Sequence, residues 1–153
     1  MPNTYTQIFV QLVFAVQGRQ NFIPKEQRER LQEYITAALH QDGHKMLSLF
    51  CMPDHLHILV AINPQLPVAG IVLDLKRTTA QFIYEKGIVK NPFNWQKGYG
   101  AFSHSKSQVP DVMQYILKQE QQHFKKTFRQ EYLEFLNKFG IPFEENFLFE
   151  FYE

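Results

Sequence analysis

A single cysteine, Cys51, leaves this chain of 153 residues without an internal disulfide. Lying between Phe50 and Met52, that cysteine reads as a small buried hydrophobe rather than a nucleophile. Long hydrophobic runs are also missing: none approaches the roughly 18 residues that a membrane helix needs. Met1 to Val16 shows no basic leader and no cleavage-site pattern, so the expectation is a cytoplasmic protein with no membrane partner. No Ser/Gly/Pro-rich linker and no repeat divides the chain. Residues 1–153 are therefore expected to form a single domain, with 44% hydrophobic residues to build its core. Charge of one sign is scarce overall, with a net of +1, but it is unevenly placed. The segment from Ile141 to Glu153 has four glutamates and no Lys or Arg, so the preceding body carries a net +5. That bias permits a polyanionic partner without requiring one.

The hydrophobic pattern alternates between strand and helix periods. Thr4 to Val16 is rich in β-branched and aromatic residues and reads as a central strand. Pro24 opens a helix in which Leu31, Tyr34, Ile35, Ala38 and Leu39 recur at helical spacing until Asp42-Gly43. Lys45 to Phe50 and His55 to Ile62 form two strands of an antiparallel hairpin joined around Met52-Pro53-Asp54. A second helix is predicted over Val68 to Lys86, ended by Gly87, and a fourth strand over Phe93 to Ser103, bent at Gly98 or Gly100. Pro110-Asp111 then opens a helix running through Tyr115 and Gln119 to His123, and Phe128 to Phe139 forms another. The order β-α-β-β-α-β followed by C-terminal helices predicts an α+β, ferredoxin-like (RRM-like) sheet with helices on one face and the other face free. The aromatics of the acidic segment, Phe143, Phe147, Phe149 and Phe151, are expected to pack on the body.

Two features carry chemistry. In His55-Leu56-His57 the histidines are two residues apart on a strand, so both imidazoles share one face and can hold one divalent ion. Tyr115 and Gln119 are four apart on a predicted helix, so a phenol and an amide can converge. A phenol with an ordinary pKa of about 10 needs a nearby cation or base to act as a nucleophile at neutral pH. Taken alone, each pair also fits a bland reading: hydrogen-bonded histidines, and a core tyrosine beside a solvated glutamine.

Pro53-Asp54-His55-Leu56-His57, followed by Tyr115-Ile116-Leu117-Lys118-Gln119, resembles the single-tyrosine transposases with a His-hydrophobe-His motif, the group named after insertion sequences 200 and 605. The likeness extends to Gln7–Ala15 and to the segment from Trp95 to Ser103. It implies cleavage and rejoining of single-stranded DNA at element ends in a prokaryotic cell, with partly base-paired DNA hairpins as partners. Under that resemblance His55, His57 and Gln119 would hold Mg²⁺ or Mn²⁺. Tyr115 would attack phosphorus and form a 5′-phosphotyrosine. It also implies a homodimer whose subunits exchange the tyrosine helix, with residues 103–110 as the hinge. Lys76, Arg77, Lys97 and Lys106 become candidate phosphate contacts, and Phe82, Trp95, Tyr99 and Phe102 candidate base-stacking groups. His123 is a possible auxiliary to the metal, against a simpler role as a helix C-terminal cation. His104 could contact DNA, His40 and His44 look structural, and Asp54 is a turn residue or an outer partner of an imidazole. The alternatives are a domesticated nuclease of repeat palindromes with the same chemistry, an RRM-like binding module without catalysis, and a two-histidine phosphoesterase. The last lacks the second His-hydrophobe-Ser/Thr motif it would need.

Overall fold

The structure, a computed structural model, describes residues 3–90 and 92–152. Four antiparallel strands, β1 (Phe9–Ala15), β2 (Lys45–Cys51), β3 (His55–Ala61) and β4 (Gly100–His104), lie in the order β2-β3-β1-β4. Helices α1 (Arg28–Gln41) and α2 (Val68–Glu85) complete the ferredoxin-like order, and α3 (Val109–Leu117), α4 (Gln119–Lys125) and α5 (Phe128–Lys138) follow it. Among the described residues, no helix is long and apolar enough to cross a membrane.

Side-chain alternation divides the sheet. Phe14 pairs with Leu56 and Leu12 with Ile58, which points these residues to the face where Leu31, Ile35 and Leu39 of α1 and Ile71, Val72 and Leu75 of α2 complete the core. Val13 pairs with His57 and Gln11 with both Leu59 and Phe102, so these residues stand on the opposite face. That second face is not free. Helix α3 packs on β2 and β3, and Ser48 Oγ donates to the Met113 carbonyl at 3.1 Å. The β4 end is covered by α5 and the residue that caps it: Phe135 and Phe139 lie 5.3 and 5.1 Å, ring to ring, from Phe102. The apolar stripe of α5 needed a partner, and this face supplies it.

Four element boundaries differ from expectation by more than two residues. The first helix begins at Arg28, Pro24 instead leading into a short 3₁₀ turn at Lys25–Gln27. The fourth strand shrinks to Gly100–His104, because Lys76 Nζ donates to the carbonyls of Gln96 and Gly98 at 2.7 and 2.6 Å and Gly98 turns with φ of 83°. The first strand begins at Phe9 rather than Thr4. The helix expected from Pro110 to His123 breaks at Lys118 (φ −103°, ψ 28°), turning Gln119 fully inward while Leu117 stays exposed.

The C-terminal segment packs on the body as expected for Phe149 and Phe151, whereas Phe143 and Phe147 are exposed. Gln96 clasps its backbone from both sides: Nε2 donates to the Glu150 carbonyl at 2.9 Å and Oε1 accepts the Glu150 N–H at 2.7 Å. Phe149 and Phe151 then pack against Phe128 and Tyr132, holding α5 against the sheet.

Candidate active site

His55 and His57 stand side by side on β3 with ring centroids 5.3 Å apart, and both are buried. Each ring has its Nδ1 occupied. Asp54 Oδ1 lies 2.7 Å from His55 Nδ1, and Gln11 Nε2 lies 3.0 Å from His57 Nδ1. Both Nε2 atoms consequently aim at one carboxylate, that of Glu131: His57 Nε2 is 2.9 Å and His55 Nε2 3.9 Å from Oε1. Phe128 stacks flat on His55 at 3.7 Å and fixes its plane.

Local sequence explains why a carboxylate lies there. Thr127 caps α5, accepting the Gln130 N–H at 3.1 Å while Gln130 Oε1 accepts the Thr127 N–H at 2.9 Å. The helix therefore starts at a fixed register, and Phe128, Glu131, Tyr132 and Phe135 fall on one face at offsets of three, four and seven. Glu131 is the charged member of an otherwise apolar stripe, and it is 1% exposed. Sequence reading passed over it. The detectable signal was its register with three aromatics.

Tyr115 reaches the same carboxylate from α3. Its hydroxyl donates a short hydrogen bond to Glu131 Oε2, and its ring meets His57 edge-on at 6.4 Å. Gln119 Nε2 donates to that oxygen at 3.1 Å. The expected pairs are thus brought together within one chain, but through Glu131. The Gln119 amide oxygen accepts from His123 Nε2 at 3.0 Å. The remaining ring nitrogen of His123, Nδ1, donates to the Lys126 carbonyl at 3.1 Å.

The electrostatics follow from burial and proximity. Burial works to raise the Glu131 carboxyl, yet His57, His123 and His55 outweigh it and hold the group well below the ordinary carboxylate range. Burial, opposed by Glu131, lowers His57. Burial also works to lower His123, but Glu131 overcomes it and raises that imidazole. Burial first, and the Glu131 charge second, push the Tyr115 phenol far above its ordinary value. Asp54 is lowered because His55 outweighs the cost of its burial. The tyrosine is therefore held protonated by its burial and by the carboxylate it touches.

The donor set fits a divalent ion. One ligand atom each from His55, His57 and Glu131 lie within 4.8 Å of one another. Among the described residues, His55 Nε2 is a buried nitrogen with no hydrogen-bond partner. The Asp54 carboxylate can only accept, so it draws the ring proton to Nδ1 and leaves a lone pair at that unpartnered atom. Leaving such a group unsatisfied costs about 1–3 kcal/mol, which a cation would recover. Two imidazoles and a carboxylate suit Mn²⁺, and also Mg²⁺ when other oxygens complete the shell.

The candidate DNA contacts are dispersed. Lys76 is engaged by the two loop carbonyls already described. Arg77 pairs with Asp74 at 2.8 Å on the surface. Trp95 donates to Thr79 Oγ1 at 2.9 Å and packs edge-on against Phe14, Phe82 stacks on Tyr34, and Phe102 is buried beneath α5. Among these aromatics packing has consumed the faces that bases would need. Lys97, Tyr99 and Lys106 remain exposed. A cavity of about 320 Å³ adjoins Tyr115 and is lined by Gln11, His104, Lys126, Lys138 and Phe139 among others. Of the other histidines, His44 Nδ1 accepts the Asn63 N–H at 2.9 Å, a structural role.

Comparison with known proteins gives a consistent picture. Residues 4–121 match the family model described as "Transposase IS200 like". The ISDra2 transposase TnpA of Deinococcus radiodurans is 24% identical over 124 residues, covering 78% of this chain and 86% of that protein. Among solved structures, a transposase candidate from Deinococcus radiodurans R1 superposes with a TM-score of 0.61 at 23% identity, covering 76% of this chain and 94% of the other. A REP-associated tyrosine transposase bound to a REP hairpin superposes with a TM-score of 0.58 at 14% identity, covering 79% and 72%. The family match stops before α5, so Glu131 lies outside it.

Proposed function

Because the chain belongs to the IS200-like transposase family, and is thus a DNA-processing enzyme, we propose that it cleaves and rejoins single-stranded DNA by attack of Tyr115 on a phosphodiester. The observation that carries this reading is the convergence of Tyr115, His55 and His57 on Glu131 within one chain. His55, His57 and Glu131 would hold Mg²⁺ or Mn²⁺, with Gln119, the side chain expected as the third ligand, also holding the carboxylate in place through its Nε2. When bound there, a divalent ion would polarise a non-bridging phosphate oxygen and offset both the charge building on phosphorus and the Glu131 charge that keeps the phenol protonated.

The remaining steps belong to the chain. Tyr115 Oη is held on a fixed hydrogen bond to Glu131 Oε2 beside the cavity, which orients the phenol for attack; the proton it loses ends on the leaving 3′ oxygen, since the Glu131 carboxyl is held too far below the ordinary range to keep it. Attack in line with the leaving 3′ oxygen gives a 5′-phosphotyrosine and a free 3′-hydroxyl. One phosphodiester replaces another of similar energy, so the step reverses and supports strand transfer without a nucleotide triphosphate. His123, with both ring nitrogens donating, keeps Gln119 from turning. One chain supplies every group named, which supports cleavage in cis; exchange of the tyrosine helix between two copies is the competing arrangement.

The substrate is proposed to be a DNA hairpin with flanking single strand, recognised inside the cell. The likeness to a REP-associated transposase bound to a REP hairpin supports a variant in which the same chemistry acts on chromosomal repeat palindromes. Incubation with Mn²⁺ and a labelled oligonucleotide from the gene's flanks should give a denaturation-resistant adduct. Failure to form one with any flanking hairpin would defeat the reading.

A further inference from the structure

The two histidines are held by partners of different chemistry. Asp54 can only accept a hydrogen bond, so it fixes His55 with its proton on Nδ1. His57 instead faces the amide of Gln11, which can either donate or accept. Gln11 sits in the central strand, opposite Leu59 on one side and Phe102 on the other. His57 and His104, which pair with Val13 and Phe9, are its diagonal neighbours on the same face. The amide bridges both: Nε2 is 3.0 Å from His57 Nδ1 and Oε1 is 2.9 Å from His104 Nε2. With Glu131 Oε1 at 2.9 Å from His57 Nε2, four groups form one hydrogen-bonded row across the sheet.

Donor and acceptor roles along that row follow from Glu131, whose carboxylate can only accept: a neutral His57 then carries its proton on Nε2, leaving the Nδ1 lone pair to accept from the Gln11 NH₂. The Gln11 oxygen accepts, so the His104 proton sits on Nε2. An ion at the Glu131 site needs the His57 Nε2 lone pair, which requires that proton to be on Nδ1. Gln11 would then have to present its oxygen to His57, and its NH₂ to His104.

We propose that Gln11 is a two-position relay that sets the His57 tautomer, and that His104 changes tautomer with it. The inference rests on the metal-dependent reading above. A half turn of the amide exchanges its two ends at the same two sites. Each imidazole keeps one proton, moved from Nε2 to Nδ1 by exchange with water, so no net charge changes. Gln11 is 1% exposed and both ends of its amide are satisfied, so it cannot turn unless both histidines exchange together. Gln11 is therefore a positioning residue for the ion, and it carries the state of the ion site to His104 at the wall of the cavity beside Tyr115.

The test uses the full chain and two measurements. Side-chain ¹⁵N spectra of the wild-type protein should show His57 and His104 as Nε2–H forms without Mg²⁺ and as Nδ1–H forms with it. Binding of Mn²⁺, read by paramagnetic resonance of the free ion, should weaken roughly 10- to 100-fold in Gln11→Leu. It should recover in Gln11→Glu, whose carboxylate accepts from Nδ1–H. His104 in that variant should stay Nε2–H whatever the metal. Histidine tautomers that do not change with Mg²⁺, or Gln11→Leu binding Mn²⁺ as tightly as wild type, would overturn the relay. A wild-type chain that takes up no Mn²⁺ would instead overturn the metal reading on which it rests.

Discussion

Tyr115 donates its phenolic proton to Glu131, a carboxylate sixteen residues further along the same chain. That contact joins Tyr115, the histidine pair and the helix beyond the family match into one site. Several expectations depend on it.

Replacing Glu131 with Gln keeps the shape and removes the charge. The variant should lose at least roughly tenfold in Mn²⁺ affinity, comparable with or larger than the loss of an outer-shell partner. Calorimetric titration measures it, and affinity equal to wild type would show that the carboxylate is not a ligand.

Tyr115→Phe should abolish the covalent DNA adduct while hairpin binding, measured by gel shift, is retained. It also removes a hydrogen bond to a charged group, worth about 1.5–3 kcal/mol, so the melting temperature should fall. Adduct formation by this variant would assign the nucleophile elsewhere.

The single-chain assembly of the site predicts the outcome of mixing. Tyr115→Phe protein combined with His57→Ala protein should remain inactive, because neither chain holds a complete set. Recovered cleavage would demonstrate exchange of the tyrosine helix between copies.

Much of this was legible beforehand, and the failures have physical causes. The histidine pair and the sheet order were readable because strand alternation and helix periodicity are local properties. The break at Lys118 was not, since neither Gly nor Pro marks it and the buried Gln119 amide is compensated only by Glu131 and His123, which come later in the chain. The fourth strand was drawn too long because nothing local shows that Lys76 takes two of its carbonyls. Glu131 was hidden by its neighbours: among Arg129, Gln130 and Glu134 it looks solvated, and only its register with Phe128, Tyr132 and Phe135 turns it inward. Phe102 was taken for a stacking surface because the aromatics of α5 that cover it are distant in sequence.

Stability should depend on pH with a definite sign. The folded His57 pKa lies below the ordinary 6.5, so as pH falls below 6.5 the unfolded chain takes a proton that the folded chain refuses, and stability drops. Glu131, also lowered, adds to the loss below its ordinary 4.5. His123 is raised, so its contribution is complete below 6.5 and is lost only as pH rises through its folded value. Urea midpoints should therefore decline on the acid side of 6.5 and steepen below 4.5. A midpoint that stays flat across that interval would contradict the neutral, buried state of His57.

Burial pushes the Cys51 thiol up to about 12, so the folded chain should resist thiol reagents at pH 8. Labelling should proceed only as fast as the protein opens, and a rate matching that of free cysteine would place the thiol at the surface.

The carboxylate that faces His57 lies 74 residues later in the chain. At synthesis rates of roughly 5–20 residues per second, a nascent protein waits about 4 to 15 seconds for it. An ion bound to His55 and His57 during that interval would meet two imidazoles without the Glu131 carboxylate. Nitrogen donors of that kind favour copper and zinc over magnesium and manganese. Under the metal-dependent reading, the ion carried by freshly isolated protein should then depend on which metals surround the ribosome while the last helices are being made, as well as on the finished donor set.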